Sequence, residues 1–164
     1  MTAFSQSSRH LVNRVVSKID PEKTSNIIEY GAGDGVVTKQ VLKSIKKPCK
    51  VFAFEPNENF YSELRSIDDK RLFVINDVAQ NTHKYMNGTK ADLVLASMPF
   101  SWIKNKSTLI KNMHDRLEKD GKFIIYHQYF PIGLIKPLSK HFNKVKIEYE
   151  LKNFLPCFII TCEK

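Results

Sequence analysis

The sequence predicts an α/β protein: a mostly parallel sheet of seven strands with helices packed on both faces. Three observations carry that prediction. Short apolar runs of strand length recur along the chain, and segments with helical apolar spacing separate them. One such run, Ile27-Ile28-Glu29-Tyr30, passes directly into Gly31-Ala32-Gly33-Asp34-Gly35 and then into amphipathic Val36 to Gln40. That is the composition of a buried strand, a tight turn and a helix start. Towards the other end, Lys144 to Leu151 alternates strictly, and a second strand-like run follows a turn at Asn153 to Pro156. Such a pair reads as two strands joined by a turn.

In chain order, Ser7 and Ser8 are N-cap candidates for a helix through about Ile19. Leu11, Val12, Val15, Val16 and Ile19 make one stripe, Arg9, His10, Arg14 and Lys18 lie off it, and Asp20-Pro21 stops it. The helix caps the sheet or the cofactor cleft, or lies on an anionic leaflet, where each of three permanent cations would contribute ~1 kcal/mol; partial docking allows both. After the glycine turn a helix runs to about Ile45, and Lys46-Lys47-Pro48 ends it. The second strand, Val51 to Phe54, closes at Glu55, and Pro56-Asn57 opens the next helix. The third, Leu72 to Ile75, ends at Asn76-Asp77-Val78; Asn81 to Lys90 reads as a loop or weak helix with a solvated His83. The fourth, Ala91 to Ala96, delivers Ser97-Met98-Pro99-Phe100-Ser101-Trp102 to the carboxyl edge, where doubly wound sheets bind their ligands. A helix from about Ser107 to Leu117, a turn at Lys119-Asp120-Gly121 and a fifth strand, Lys122 to Tyr126, come next. His127-Gln128-Tyr129-Phe130-Pro131 then lies at the same edge, Leu134 to Phe142 reads as helical, and Cys157 to Thr161 is the last strand.

Composition bounds the class. The 164 residues read as a single domain over 1–164, without repeat or linker. No apolar run approaches the ~20 residues of a membrane span, and the first residues lack signal-peptide order. Cys49, Cys157 and Cys162 show no metal-type pairing and read as thiols in a reducing, cytoplasmic compartment, with contact at the inner face of the membrane left open. Cys157 and Cys162, an odd number of positions apart, should point to opposite faces of a strand. The net charge of +9 is uneven: +5 over residues 1–50, −2 over 51–100 and +6 over 101–164. Basic flanks around an acidic centre suit a phosphate-bearing partner beside a neutral or cationic cofactor, and equally a solvated lysine surface.

The glycine spacing narrows the ligand. A dinucleotide fingerprint, G-x-G-x-x-G, would need glycine at position 36, which is Val36. The acidic-x-Gly-x-Gly-x-Gly pattern beginning at Glu29 instead resembles the S-adenosylmethionine-dependent methyltransferases of the Rossmann-like class. That resemblance implies a sheet of order 3-2-1-4-5-7-6, closed by an antiparallel hairpin, and a cofactor site. Its glycine turn (Gly31, Ala32, Gly33, Gly35) would pass under the amino-acid end, with Glu29 towards the ammonium. Glu55, with Pro56 after it, would take the ribose hydroxyls, and Asp77-Val78 the adenine amino group. Ser97 would border both cofactor and acceptor.

Within that class, Ser7-Ser8-Arg9-His10-Leu11, Met98-Pro99, the aromatics after strand five and Phe154-Leu155-Pro156 resemble the small bacterial phospholipid N-methyltransferases, relatives of the ribosomal RNA adenine dimethylases. The implied reaction is transfer of methyl to an amine nitrogen, with phosphatidylethanolamine as the leading acceptor. The carbonyl before Pro99 would accept from the amine, Phe100, Trp102 and Tyr129 would line the acceptor, and Tyr126 or His127 would take or relay its proton. Ser97 stands where amine methyltransferases often carry Asn, which weakens a nucleobase acceptor. RNA or DNA adenine N6-methylation, a small soluble amine and a non-catalytic relative of the fold are the alternatives. Oligomeric state is not legible.

Overall fold

A computed structural model of the chain describes residues 7–128, 133–153 and 155–164. Seven strands form one sheet: β1 (Asn26–Tyr30), β2 (Lys50–Phe54), β3 (Leu72–Ile75), β4 (Ala91–Ala96), β5 (Leu117–His127), β6 (Lys144–Glu150) and β7 (Cys157–Glu163). Their order is β3-β2-β1-β4-β5-β7-β6, as expected. The first five run parallel, and β7 lies antiparallel between β5 and β6. Strand order reverses between β1 and β4, so the crevice beyond their carboxyl ends is where this topology leaves room for a ligand.

Alternation along the strands divides the core into two layers. Ile27 joins Leu93, Leu95, Ile124 and Ile159 under the helices α1 (Arg9–Val16) and α2 (Val36–Ser44). Ile28 joins Val94, Phe123, Ile125 and Ile160 under α4 (Lys106–Asp115) and α5 (Ile135–His141). The helix between, α3 (Glu58–Arg65), packs Leu64 on Ala53 and Ala32. Cys157 and Cys162 fall into opposite layers, as their spacing requires. Burial pushes their thiols up to about 11 and about 12.

The α1 helix caps the sheet. Ser8 is its N-cap, its hydroxyl accepting from the Leu11 amide at 3.2 Å. The same residue ties α1 to the β6–β7 turn: its amide donates to Asn153 Oδ1 and its hydroxyl to the Lys152 carbonyl, each at 2.7 Å. Arg14 pairs with Glu148 at 3.0 Å and Glu150 at 3.2 Å, and Lys18 also pairs with Glu148. Two of the three cations read as facing a leaflet are therefore held by β6.

Other boundaries shift. Helix α1 ends at Val16, and Ile19 is buried beyond it. The turn expected at Lys119-Asp120-Gly121 is a bulge inside β5. Its pairing with β4 jumps from Ala91↔Leu117 to Leu93↔Lys122, five steps on β5 against two on β4. The weak helix expected after β3 is a 3-10 turn, Ala79–Lys84, with His83 exposed.

Candidate active site

The glycine turn is shaped by what lies across it. Gly31 has φ +70°, and a Cβ there would sit 2.5 Å from the Ser97 carbonyl oxygen, so β1 and β4 meet closely only because position 31 has no side chain. Gly33, at φ +58°, is different: a Cβ there would meet nothing within 4 Å. The turn is packed against the protein on one side and open on the other. Gly35 is the N-cap of α2 and rests on Leu64 and Ile67, and Ala32 is buried beside Leu64.

Glu55 holds the open side in shape. It is 6% exposed, accepting from the Gly33 amide on Oε2 and from the Asn57 amide on Oε1, both at 2.9 Å. Pro56 beside it is exposed. Asp77 accepts from the Val78 amide and Asn81 Nδ2 at 2.7 Å each, and from the Tyr85 hydroxyl at 2.8 Å. Those bonds, Asn81 first, hold its carboxyl below the ordinary value. Val78 stays 40% exposed.

Glu29 lies at the bottom of the site, fully buried. Oε2 accepts from the Thr38 hydroxyl at 2.6 Å, whereas Oε1 has no hydrogen-bond partner among the described residues. Tyr126 is buried in the layer under α1 and α2, and its phenol favours the Glu29 anion. Burial raises the Glu29 carboxyl to about 7, against the opposing pull of Thr38 and Tyr126. Burial first, and Glu29 second, hold the Tyr126 phenol well above its ordinary range. Tyr126 thus stays protonated, as a donor or relay and not as the final proton acceptor.

The acceptor side divides the expected residues. Ser97 is half-buried, its amide bonded to the Tyr30 carbonyl at 2.9 Å. Pro99 starts a 3-10 turn, Phe100–Trp102, in which the Met98 carbonyl accepts from the Phe100 amide and the Pro99 carbonyl from the Trp102 amide. That turn swings Phe100 inward: it is 1% exposed and packs in the layer under α4, not on the cleft. Trp102, by contrast, is 68% exposed. His127 is half-buried at the end of β5, paired in register with Phe158. Tyr129, Phe130, Pro131 and Phe154 lie outside the described residues.

Thr38 is the site residue that the sequence reading passed over. Its signal was present: one polar residue on the buried face of α2, among Val37, Val41 and Leu42. The edge collects Glu29, Asp34, Glu55 and Asp77, and among the described residues none of them forms an ion pair. Unpaired carboxylates around an open glycine turn suit a ligand that brings positive charge and hydroxyl donors.

Comparison with known proteins agrees. Residues 4–134 match a family model described as a methyltransferase domain. Malonyl-[acyl-carrier protein] O-methyltransferase 2 of Ilyobacter polytropus is 25% identical over 130 residues, covering 74% of this chain and 46% of that protein. The chain thus spans about half the length of this curated relative. The fold is shared with precorrin-6y C5,15-methyltransferase from Geobacter metallireducens, at TM-score 0.81 and 14% identity over 99% of this chain and 91% of that one. It is also shared with a Streptococcus mutans protein solved in complex with S-adenosylhomocysteine, at TM-score 0.67 and 21% identity over 96% and 98%. The chain belongs to the methyltransferase-domain family, as a Rossmann-like enzyme whose cofactor is S-adenosylmethionine.

Proposed function

We propose that this methyltransferase acts on an amine nitrogen of an amphiphilic acceptor, with a phospholipid head group such as phosphatidylethanolamine as the leading substrate. The observation that carries the reading is an apolar rim at the carboxyl edge. Trp102 follows directly on Ser97-Met98-Pro99, and Leu151 (68% exposed) and Leu155 (44%) stand on the β6–β7 turn. The ladders bring that turn beside the end of β5, through Glu150↔Cys157 and His127↔Phe158. Large exposed apolar side chains grouped near a ligand site favour an apolar partner. Exposed Lys104 and Lys152 on the same segments suit its phosphate. With Arg14 and Lys18 held by β6, Arg9 is the cation of α1 left to face an anionic surface.

S-adenosylmethionine supplies a methyl group already activated on a sulfonium. The chain has to orient the acceptor, strip its water and remove its ammonium proton. Tyr126 is held protonated, so the proposal assigns removal of that proton to His127. The adenine reading loses support, since the aromatic that would stack on a base, Phe100, is enclosed in the core. A second reading, O-methylation of a carboxylate on an acyl carrier, draws on the Ilyobacter relative; a carboxylate needs no base.

Methyl transfer from radiolabelled S-adenosylmethionine, offered phosphatidylethanolamine vesicles, malonyl-acyl carrier protein and RNA in parallel, tests the proposal. Label in lipid, lost on Glu55→Ala, supports it. Label in the acyl carrier alone supports the second reading, and label in RNA alone overturns both.

A further inference from the structure

We propose that cofactor binding expels one proton from the buried Glu29, and that Tyr126 is the positioning residue that sets the pH at which this happens. The inference deepens the methyltransferase reading and rests on it.

Glu29 is an enclosed carboxyl group. It is 0% exposed, and Oε1 has no hydrogen-bond partner among the described residues. The polar groups that act on it are hydroxyls and acids. Helix α2 gives the Thr38 hydroxyl, β5 the Tyr126 phenol, β2 Glu55 and the glycine turn Asp34. The two carboxylates both oppose ionisation of a third, and enclosure opposes it more strongly. Thr38 and Tyr126 favour the anion, and they leave the carboxyl near neutrality at about 7 instead of locking it protonated. Such a group holds its proton in the free protein at mildly acidic pH.

The cofactor carries a sulfonium and an ammonium. Bringing net positive charge to this edge supplies the counter-charge that the free site lacks, and Glu29 then ionises. The carboxyl O–H bond breaks, its electron pair stays on Glu29, and the proton passes to solvent and is taken up by buffer. Tyr126, a buried phenol on β5 that favours ionisation of Glu29, steadies the resulting anion. Its contribution acts through Glu29.

Calorimetric titration of the full chain with S-adenosylmethionine, without acceptor, tests this in phosphate and in Tris, whose ionisation heats differ. At pH about 6.5, roughly half a proton or more per site should be released to buffer. Glu29→Gln should bind with no buffer-dependent heat. Tyr126→Phe should bind and shift the midpoint of proton release to higher pH, because the anion loses a donor. Binding without release in the native chain, or equal release from Glu29→Gln, overturns the inference while leaving the cofactor assignment intact. An unmoved midpoint in Tyr126→Phe overturns the role of Tyr126. Absence of binding heat in the native chain would instead overturn the methyltransferase reading on which the inference stands.

Discussion

The Ser97 carbonyl oxygen lies 2.5 Å from the point where a Gly31 side chain would begin. Adding a single methyl group at Gly31 meets a backbone oxygen that has no rotamer to retreat into, at a φ that already disfavours a Cβ by about 1–2 kcal/mol. Gly31→Ala is expected to cost at least about 2 kcal/mol. Chemical denaturation should show it as a lower midpoint with an unchanged slope.

Glu55 accepts two amide protons, one on each oxygen. Glu55→Gln keeps the shape but turns an NH₂ towards one of those donors. An unsatisfied pair of that kind costs about 1–3 kcal/mol. The affinity for S-adenosylmethionine should fall by tenfold or more, read by equilibrium binding. Unchanged affinity would mean that Glu55 serves only the turn.

Stability should depend on pH through Glu29. Its carboxyl titrates at about 7 in the folded chain against an ordinary 4.5. Between those values the folded state keeps a proton that the unfolded state releases, so stability falls as pH rises from about 4.5 to about 7 and is level above. The window corresponds to about 3 kcal/mol. Glu29→Gln should remove this slope, gaining on the native chain across the window in urea titrations. Parallel pH curves for the two proteins would refute the assignment.

Trp102→Ser should weaken use of the acceptor, not of the cofactor. Losing an exposed indole from the rim is expected to raise KM for vesicle-borne phosphatidylethanolamine by roughly tenfold, equivalent to about 1.4 kcal/mol. Binding of S-adenosylmethionine should stay unchanged. An unaffected KM would remove the rim from the acceptor site.

The strands were legible because each is a short apolar run bounded by turn residues; Ala91–Ala96 and Leu72–Ile75 match to the residue. The glycine turn was legible because its spacing has few other uses. What escaped depends on partners distant in sequence. Arg14 lies on a polar helix face, and nothing local shows that Glu148 and Glu150 wait 134 and 136 residues further on. Phe100 follows a proline at a ligand-bearing edge, and only the 3-10 turn decides that its ring goes inward. The Lys119-Asp120-Gly121 turn has turn composition, but pairing on both sides keeps it within β5. Whether Tyr126 takes or relays a proton is likewise not local: the burial that keeps its hydroxyl protonated comes from the packed layers, not from its neighbours in sequence.

In the proposed function, the open side of the glycine turn receives the cofactor. Gly33 and Gly88 both have positive φ, +58° and +79°, and in both cases a Cβ would meet empty space. Asn tolerates that backbone, so Gly33→Asn and Gly88→Asn should fold alike. Calorimetric titration with S-adenosylmethionine separates them. Native-like affinity is expected for Gly88→Asn and a loss of tenfold or more for Gly33→Asn. Native affinity in Gly33→Asn, or equal losses in the two variants, would contradict that placement.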